Sequence, residues 1–199
     1  MSKILCVGFH KTGTSSLGVA LEMLGYKVKG HYGEACHMLN DKDYKSLVLQ
    51  FPDFDAFQDN PWPLLYKEFD KLYPDSKFIL TVRDSEEWYN SILKHFAGQR
   101  SRLRHIIYNG MADPAGNKEH YLKVFENHYA EVKAYFADRP DDLLMTNIND
   151  LNWSTLCGFL DKPKPDRKFP HANSRFERSL LGTQIMKIKM KFNLDYFSK

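Results

Sequence analysis

The hydrophobic pattern of the chain switches repeatedly between two periods. Ile4 to Val7 is a short unbroken apolar run, as expected of a strand buried on both faces. Leu17, Ala20, Leu21 and Leu24 then recur at i, i+3, i+4 and i+7, one apolar helical stripe, and Gly25 follows as its stop. Tyr26 to Lys29 reads as a short second strand. Residues 33–51 are polar and mixed, and fit one or two short helices. Phe54 to Gln58 alternates weakly and ends in Asp59-Asn60-Pro61-Trp62-Pro63. Prolines that close together break a strand and suit the first turn of a helix, whose buried face would be Leu65, Phe69 and Leu72. Pro74-Asp75 turns the chain.

The second half repeats the alternation. Lys77 to Val82 is nearly all apolar and predicts a strand inside a parallel sheet. Asp84 and Glu87 have the spacing of a capping box, and Trp88, Ile92 and Phe96 mark the inner face of the helix they open. The basic residues Arg100, Arg102 and Arg104 lead into a loop around Gly110 to Gly116, and read as a solvated basic face. Tyr121, Phe125, Tyr129, Val132 and Phe136 give residues 118–137 one long amphipathic helix. Asp142 to Ile148 predicts the last strand and Trp153 to Leu160 a helix. Pro163-Lys164-Pro165 begins an irregular tail, in which Arg175 to Lys191 alternates basic and apolar residues. That stretch fits a helix packed on its own domain, with contact to an anionic membrane as the less favoured reading.

Strands separated by helices imply right-handed crossovers: an α/β fold in three layers, a mainly parallel sheet flanked by helices. In such sheets ligands bind beyond the carboxyl ends of the strands. One rim would then carry the segment after Val7, Asp59 and Arg83. The length of 199 residues suits a single domain over residues 1–199, with 170–199 as a C-terminal tail. Hydrophobic residues at 43% and aromatics at 14% exclude a disordered chain. A net charge of +3 is too balanced to imply nucleic acid. Cys6, Cys36 and Cys157 lack metal-ligand spacing and are expected as reduced thiols. The first apolar run is too short for a signal peptide and no run is long enough to span a bilayer, so a cytoplasmic location is expected.

The chemistry concentrates in Gly8-Phe9-His10-Lys11-Thr12-Gly13-Thr14-Ser15-Ser16, between the first strand and the first helix. A strand, a glycine-flanked polar turn and a helix converge backbone N–H groups on one point, where the helix dipole favours an anion. A single hydroxyl, from Thr14 or Ser15, would suffice as an N-cap; four hydroxyls and a lysine suggest a phosphate- or sulfate-binding loop. A Walker A loop carries its lysine directly after the last glycine. Here Thr14 follows Gly13 and the lysine lies two residues before it, which weakens a Mg-ATP kinase reading while leaving the P-loop NTPase-like architecture in place.

Lys11-Thr12-Gly13-Thr14-Ser15-Ser16 after a strand resembles the 5′-phosphosulfate loop of sulfotransferases that use 3′-phosphoadenosine 5′-phosphosulfate (PAPS). The family's second motif is a strand ending in arginine, then an aspartate or asparagine, with a serine eight positions after the arginine; Phe78 to Val82 leads into Arg83-Asp84, and Ser91 has that spacing. Trp153 to Leu160 and Phe169-Pro170-His171-Ala172-Asn173 resemble the end of a compact, divergent branch. The resemblance implies that Lys11 and the backbone of Thr12, Gly13, Thr14, Ser15 and Ser16 hold the phosphosulfate. It implies that Arg83 and Ser91 hold the 3′-phosphate, that no metal is required, and that adenosine 3′,5′-bisphosphate is the product. Lys11 would also act catalytically, on the leaving phosphate.

An acceptor hydroxyl or amine needs a base, which related enzymes supply as a histidine or carboxylate after the strand preceding the arginine strand. Asp59 lies in that region; a helix cap is its alternative role. Asp55 is the weaker carboxylate, and His10, His31 and His171 are further candidates. Two departures from the better-known cytosolic branch stand out. His10 replaces the proline before the loop lysine, and no basic glycine-containing segment near the C-terminus completes the 3′-phosphate site. Arg100 to Arg104 or Arg175 would have to compensate. The acceptor itself, a small molecule or a glycan, is not legible. A non-catalytic nucleotide-binding or scaffold protein with the same fold is the remaining alternative.

Overall fold

The computed structural model describes residues 2–147 and 149–171. The segment 175–191 and residues Ala172 and Asn173 lie outside the described residues. Five strands form one fully parallel sheet: β1 (Ile4–Cys6), β2 (Val28–Lys29), β3 (Ala56–Phe57), β4 (Lys77–Val82) and β5 (Leu143–Asn147), in spatial order β2-β3-β1-β4-β5. Every strand expected from the apolar runs is present. Ile4 is level with Ala56 on one side and Lys77 on the other, and Val82 is level with Asn147. This register brings the exits of β1, β3 and β4 to the same rim.

The sheet has two dry faces because its side chains alternate. Leu5, Val7, Phe57, Phe78 and Leu80 point into the larger core. That core is closed by α2 (Cys36–Asn40), α3 (Tyr44–Leu49), α4 (Tyr66–Leu72), α5 (Ser85–Phe96), α6 (Arg102–Ile107) and α7 (Lys118–Tyr135). Ile4, Cys6, Ala56 and Ile79 face the smaller core, under α1 (Thr14–Met23) and α8 (Trp153–Leu160). Helices on both faces make the three layers, and all three cysteines are buried free thiols.

Two details differ from the sequence expectation. Helix α6 forms in the basic stretch that the sequence pattern assigned to no element, because only Leu103, Ile106 and Ile107 are apolar among Arg102, Arg104 and His105. Its start is fixed by Ser101, whose hydroxyl accepts from the Arg104 N–H at 3.3 Å. Arg104, expected on a solvated face, is buried at 8% exposure. Its charge is accommodated locally: Nε donates to the Ala112 carbonyl at 3.1 Å, Nη2 donates to the Gln99 carbonyl, and the guanidinium lies 4.4 Å from the centre of the Phe96 ring.

Candidate active site

The loop after β1 is fixed from below. A side chain at Gly8 would run into Thr81 of β4, with the Thr81 carbonyl oxygen only 2.8 Å from its Cβ. The Thr12 hydroxyl is turned inward, 2.6 Å from the Phe9 carbonyl and 2.7 Å from the Thr81 hydroxyl. Trp88 of α5 donates its indole N–H to the His10 carbonyl at 3.0 Å. Gly13 sits at φ 100°, a conformation glycine adopts without strain, and is itself the N-cap of α1. The N-cap residue thus offers the first-turn N–H groups of α1 no side-chain acceptor, the usual make-up of an anion site.

A cleft of about 310 Å³ opens over this helix end, with Lys11, Gly13, Thr14, Ser15 and Asp59 in its wall. Thr12 and Ser16 are buried beneath the loop, outside that wall. Lys11 and Asp59 share one unusual feature: both have φ 67°, the left-handed region that a non-glycine residue occupies only when its surroundings enforce it. Asp59 Oδ1 accepts from the Asn60 N–H at 2.7 Å. The helical turn that follows (Trp62–Leu65) has Pro61 at its N-cap and no side-chain cap, so Asp59 does not serve as that cap. Burial raises the Asp59 carboxyl above the usual aspartate range; the Asn60 N–H, His31 and Lys11 oppose that rise.

The neighbours of these two residues enforce the geometry. His10, 6% exposed, precedes Lys11; Asn60, 2% exposed, follows Asp59; the Asn60 amide nitrogen meets His10 Nδ1 in a hydrogen bond. The other ring nitrogen, Nε2, lies 2.8 Å from the Tyr108 hydroxyl, just beyond α6. Burial, with Arg104 and Lys11 nearby, lowers the His10 pKa to about 3. A neutral imidazole has one donor and one acceptor nitrogen, and each has a partner here. His10 is therefore a neutral link between the loop, the β3 exit and α6. Sequence spacing gave it no such role, because its partners lie 50 and 98 residues away.

The rest of the cleft lining includes His31, His95, Phe96 and Arg104. Arg104 is a site-lining cation that the sequence pattern assigned to solvent. Asp55 precedes β3 and pairs with the amino end of the sheet, where its Oδ2 accepts from the Lys27 N–H at 2.8 Å. That position removes it from the rim of Lys11. His171 is exposed and packs near Phe169, whose ring lies against Trp153; it is not in the cleft wall.

Arg83 and Ser91 come together beside the cleft. They share a shallow hollow of about 390 Å³ with Glu87, Asn90 and Lys94. Arg83 Nη1 donates to the Lys11 carbonyl at 3.0 Å, joining the hollow to the loop, and its Nε lies 3.6 Å from Glu87 Oε2. Asp84 caps α5 as its spacing predicts, accepting from the Glu87 N–H at 2.9 Å.

Comparison with known proteins gives the chain a family. A family described as "Sulfotransferase domain" matches residues 3–113 and 93–178. The chain is also similar to "Ava biosynthesis cluster protein M" of Aspergillus versicolor, 26% identical over 213 residues, which cover 85% of this chain and 80% of that protein. The matched segments take in the loop, the Asp59 exit, the arginine strand and α8, and the chain belongs to the sulfotransferase domain family.

Proposed function

We propose that the chain is a single-domain, PAPS-dependent sulfotransferase acting on a hydroxyl or amine of a small molecule or glycan. One observation carries this reading. Lys11 and Asp59 are held in the wall of one cleft at the N-terminus of α1, while Arg83, bonded to the Lys11 carbonyl, forms the adjoining hollow with Ser91. The spacing offers a receptor for two anionic ends of one nucleotide. The first-turn N–H groups of Gly13 to Ser15 suit the 5′-phosphosulfate, and the forked guanidinium of Arg83 suits the 3′-phosphate. The name of the curated relative, a biosynthesis cluster protein, favours the small-molecule acceptor.

The residues then divide the work. Sulfuryl transfer asks the protein for in-line positioning and charge neutralisation rather than covalent chemistry. Asp59 accepts the proton of the acceptor as its oxygen or nitrogen bonds to sulfur. Lys11 neutralises the phosphate oxygen that keeps the electron pair of the broken S–O bond. The raised Asp59 pKa makes it a better proton acceptor than an ordinary aspartate, provided that it is ionised. A cytoplasmic location is part of the proposal; no helix among the described residues is long and apolar enough to cross a membrane.

Thermal stabilisation tests the reading. Adenosine 3′,5′-bisphosphate should raise the melting temperature with or without magnesium, by about 3 kcal/mol of added stability at a hundredfold excess over Kd. ADP and ATP should do less, and Lys11→Ala and Arg83→Ala should each reduce the bisphosphate shift. No shift in the wild type, or a larger magnesium-dependent shift with ATP, would overturn it.

A further inference from the structure

The hollow around Arg83 has a charge problem. Arg83, Glu87, Asn90, Ser91 and Lys94 share one face of its wall, spaced at four, seven, eight and eleven residues from the arginine. Arg83 is already engaged on two sides, by the Lys11 carbonyl and by the Glu87 carboxylate. Arginine and glutamate together sum to zero, yet the nucleotide reading brings a phosphate dianion to this spot. Two features relieve the conflict. Glu87 is held only loosely: its side chain is 66% exposed and its oxygen sits 3.6 Å from Arg83 Nε, beyond hydrogen-bond length. Lys94, one turn after Ser91, is exposed and has no ion-pair partner among the described residues.

Building on the donor assignment above, we infer that Lys94 is the second cation for a nucleotide 3′-phosphate, and that Glu87 is an internal counter-ion which that phosphate displaces from Arg83. Lys94 stands in for the basic glycine-containing segment that is not evident in the sequence. With Glu87 swung out to solvent, Arg83 and Lys94 match the two negative charges of the phosphate, and Ser91 adds a hydroxyl donor between them. Lysine suits the outer position, because its flexible point charge can follow the ligand while the rigid guanidinium fixes the geometry. Glu87 keeps Arg83 in place while the hollow is empty, and its displacement is a cost that a 3′-phosphate offsets by its own bonds to Arg83 and Lys94. The two thus tune selectivity for the 3′-phosphorylated nucleotide in opposite directions, Lys94 raising it and Glu87 moderating it.

Calorimetric titration of the full chain with adenosine 3′,5′-bisphosphate and with 5′-AMP tests both residues, and both are exposed enough to be changed without unfolding. Lys94→Ala should weaken bisphosphate binding about tenfold, and Glu87→Gln should tighten it about threefold, in line with charge-assisted contacts at a partly exposed site. Binding of 5′-AMP should change less than about twofold with Lys94→Ala, because that contact is then absent. If the wild type prefers the bisphosphate and Arg83→Ala loses that preference, but Lys94→Ala and Glu87→Gln both match the wild type, the inference is overturned and the donor assignment stands. If the wild type binds the two nucleotides equally, the donor assignment itself fails.

Discussion

The two walls of the cleft are built by opposite means. The loop wall, from Gly8 to Ser16, turns on the local Gly13 geometry at φ 100° but is anchored from far along the chain, by Thr81, Arg83, Trp88 and Tyr108. The wall around Arg104 is held by near neighbours. Arg104 is fixed by Gln99, Ala112 and Phe96, all within eight residues of it, around a six-residue helix. A loop anchored on several distant elements keeps one shape, as a ligand of fixed shape requires. A self-contained segment can change while the loop stays the same. His10 and Asn60 join the two and hold Lys11 and Asp59 in their left-handed conformations.

The comparison breaks most visibly in catalysis. Lys11→Ala should lower sulfuryl turnover by about a thousandfold, as expected when a charge aimed at the leaving group is removed. Asp59→Asn should cost about a hundredfold or more. Burial raises the Asp59 pKa, so the rate should fall as pH drops through a midpoint above the ordinary aspartate range. Steady-state rates from pH 4 to 8 in the wild type and Asp59→Asn check both; an acid limb that survives in the variant assigns the base elsewhere.

The link between the walls should be visible in stability. His10 has a folded-state pKa of about 3, well below that of an exposed histidine. Its contribution is therefore fully present above about pH 6.5 and is lost as pH falls toward the folded value, at about 1.4 kcal/mol per pH unit. His10→Gln removes that titration. Denaturant unfolding at pH 7 and pH 4.5 should show the wild type losing its advantage over the variant on acidification. A difference between the two proteins that does not change with pH would contradict the buried neutral link.

The smallest effect belongs to the Arg104 wall alone. Arg104→Leu leaves the Ala112 and Gln99 carbonyls without their donor and should cost about 2 kcal/mol of stability. Binding of adenosine 3′,5′-bisphosphate should be nearly unchanged in it. Equal losses in donor affinity and stability would mean that the two walls are not separable.

What was legible in the sequence depended on composition and periodicity rather than on contacts. Ile4–Cys6 and Lys77–Val82 announced themselves because a strand buried on both faces must be apolar throughout, and the loop did so because it concentrates hydroxyls, glycine and lysine. Asp59 was legible only as a region, since its αL conformation and its link through Asn60 to His10 depend on packing. Asp55 differs from it by four positions and lies at the opposite end of the strand, a distinction that needs strand boundaries correct to a residue or two. Helix α6 and Arg104 were hidden because a buried arginine looks like any other basic residue until its carbonyl partners are in place. The Arg83–Ser91 spacing was legible through family resemblance, whereas Lys94 was visible only once α5 had placed it beside Ser91.

A crystal structure of the chain with adenosine 3′,5′-bisphosphate tests the central claim most directly. The 5′-phosphate is expected on the N–H groups of Gly13 to Ser15 beside Lys11, at about 3 Å, and the 3′-phosphate between Arg83 and Ser91. A nucleotide bound in the reverse direction, or away from the α1 N-terminus, would contradict it.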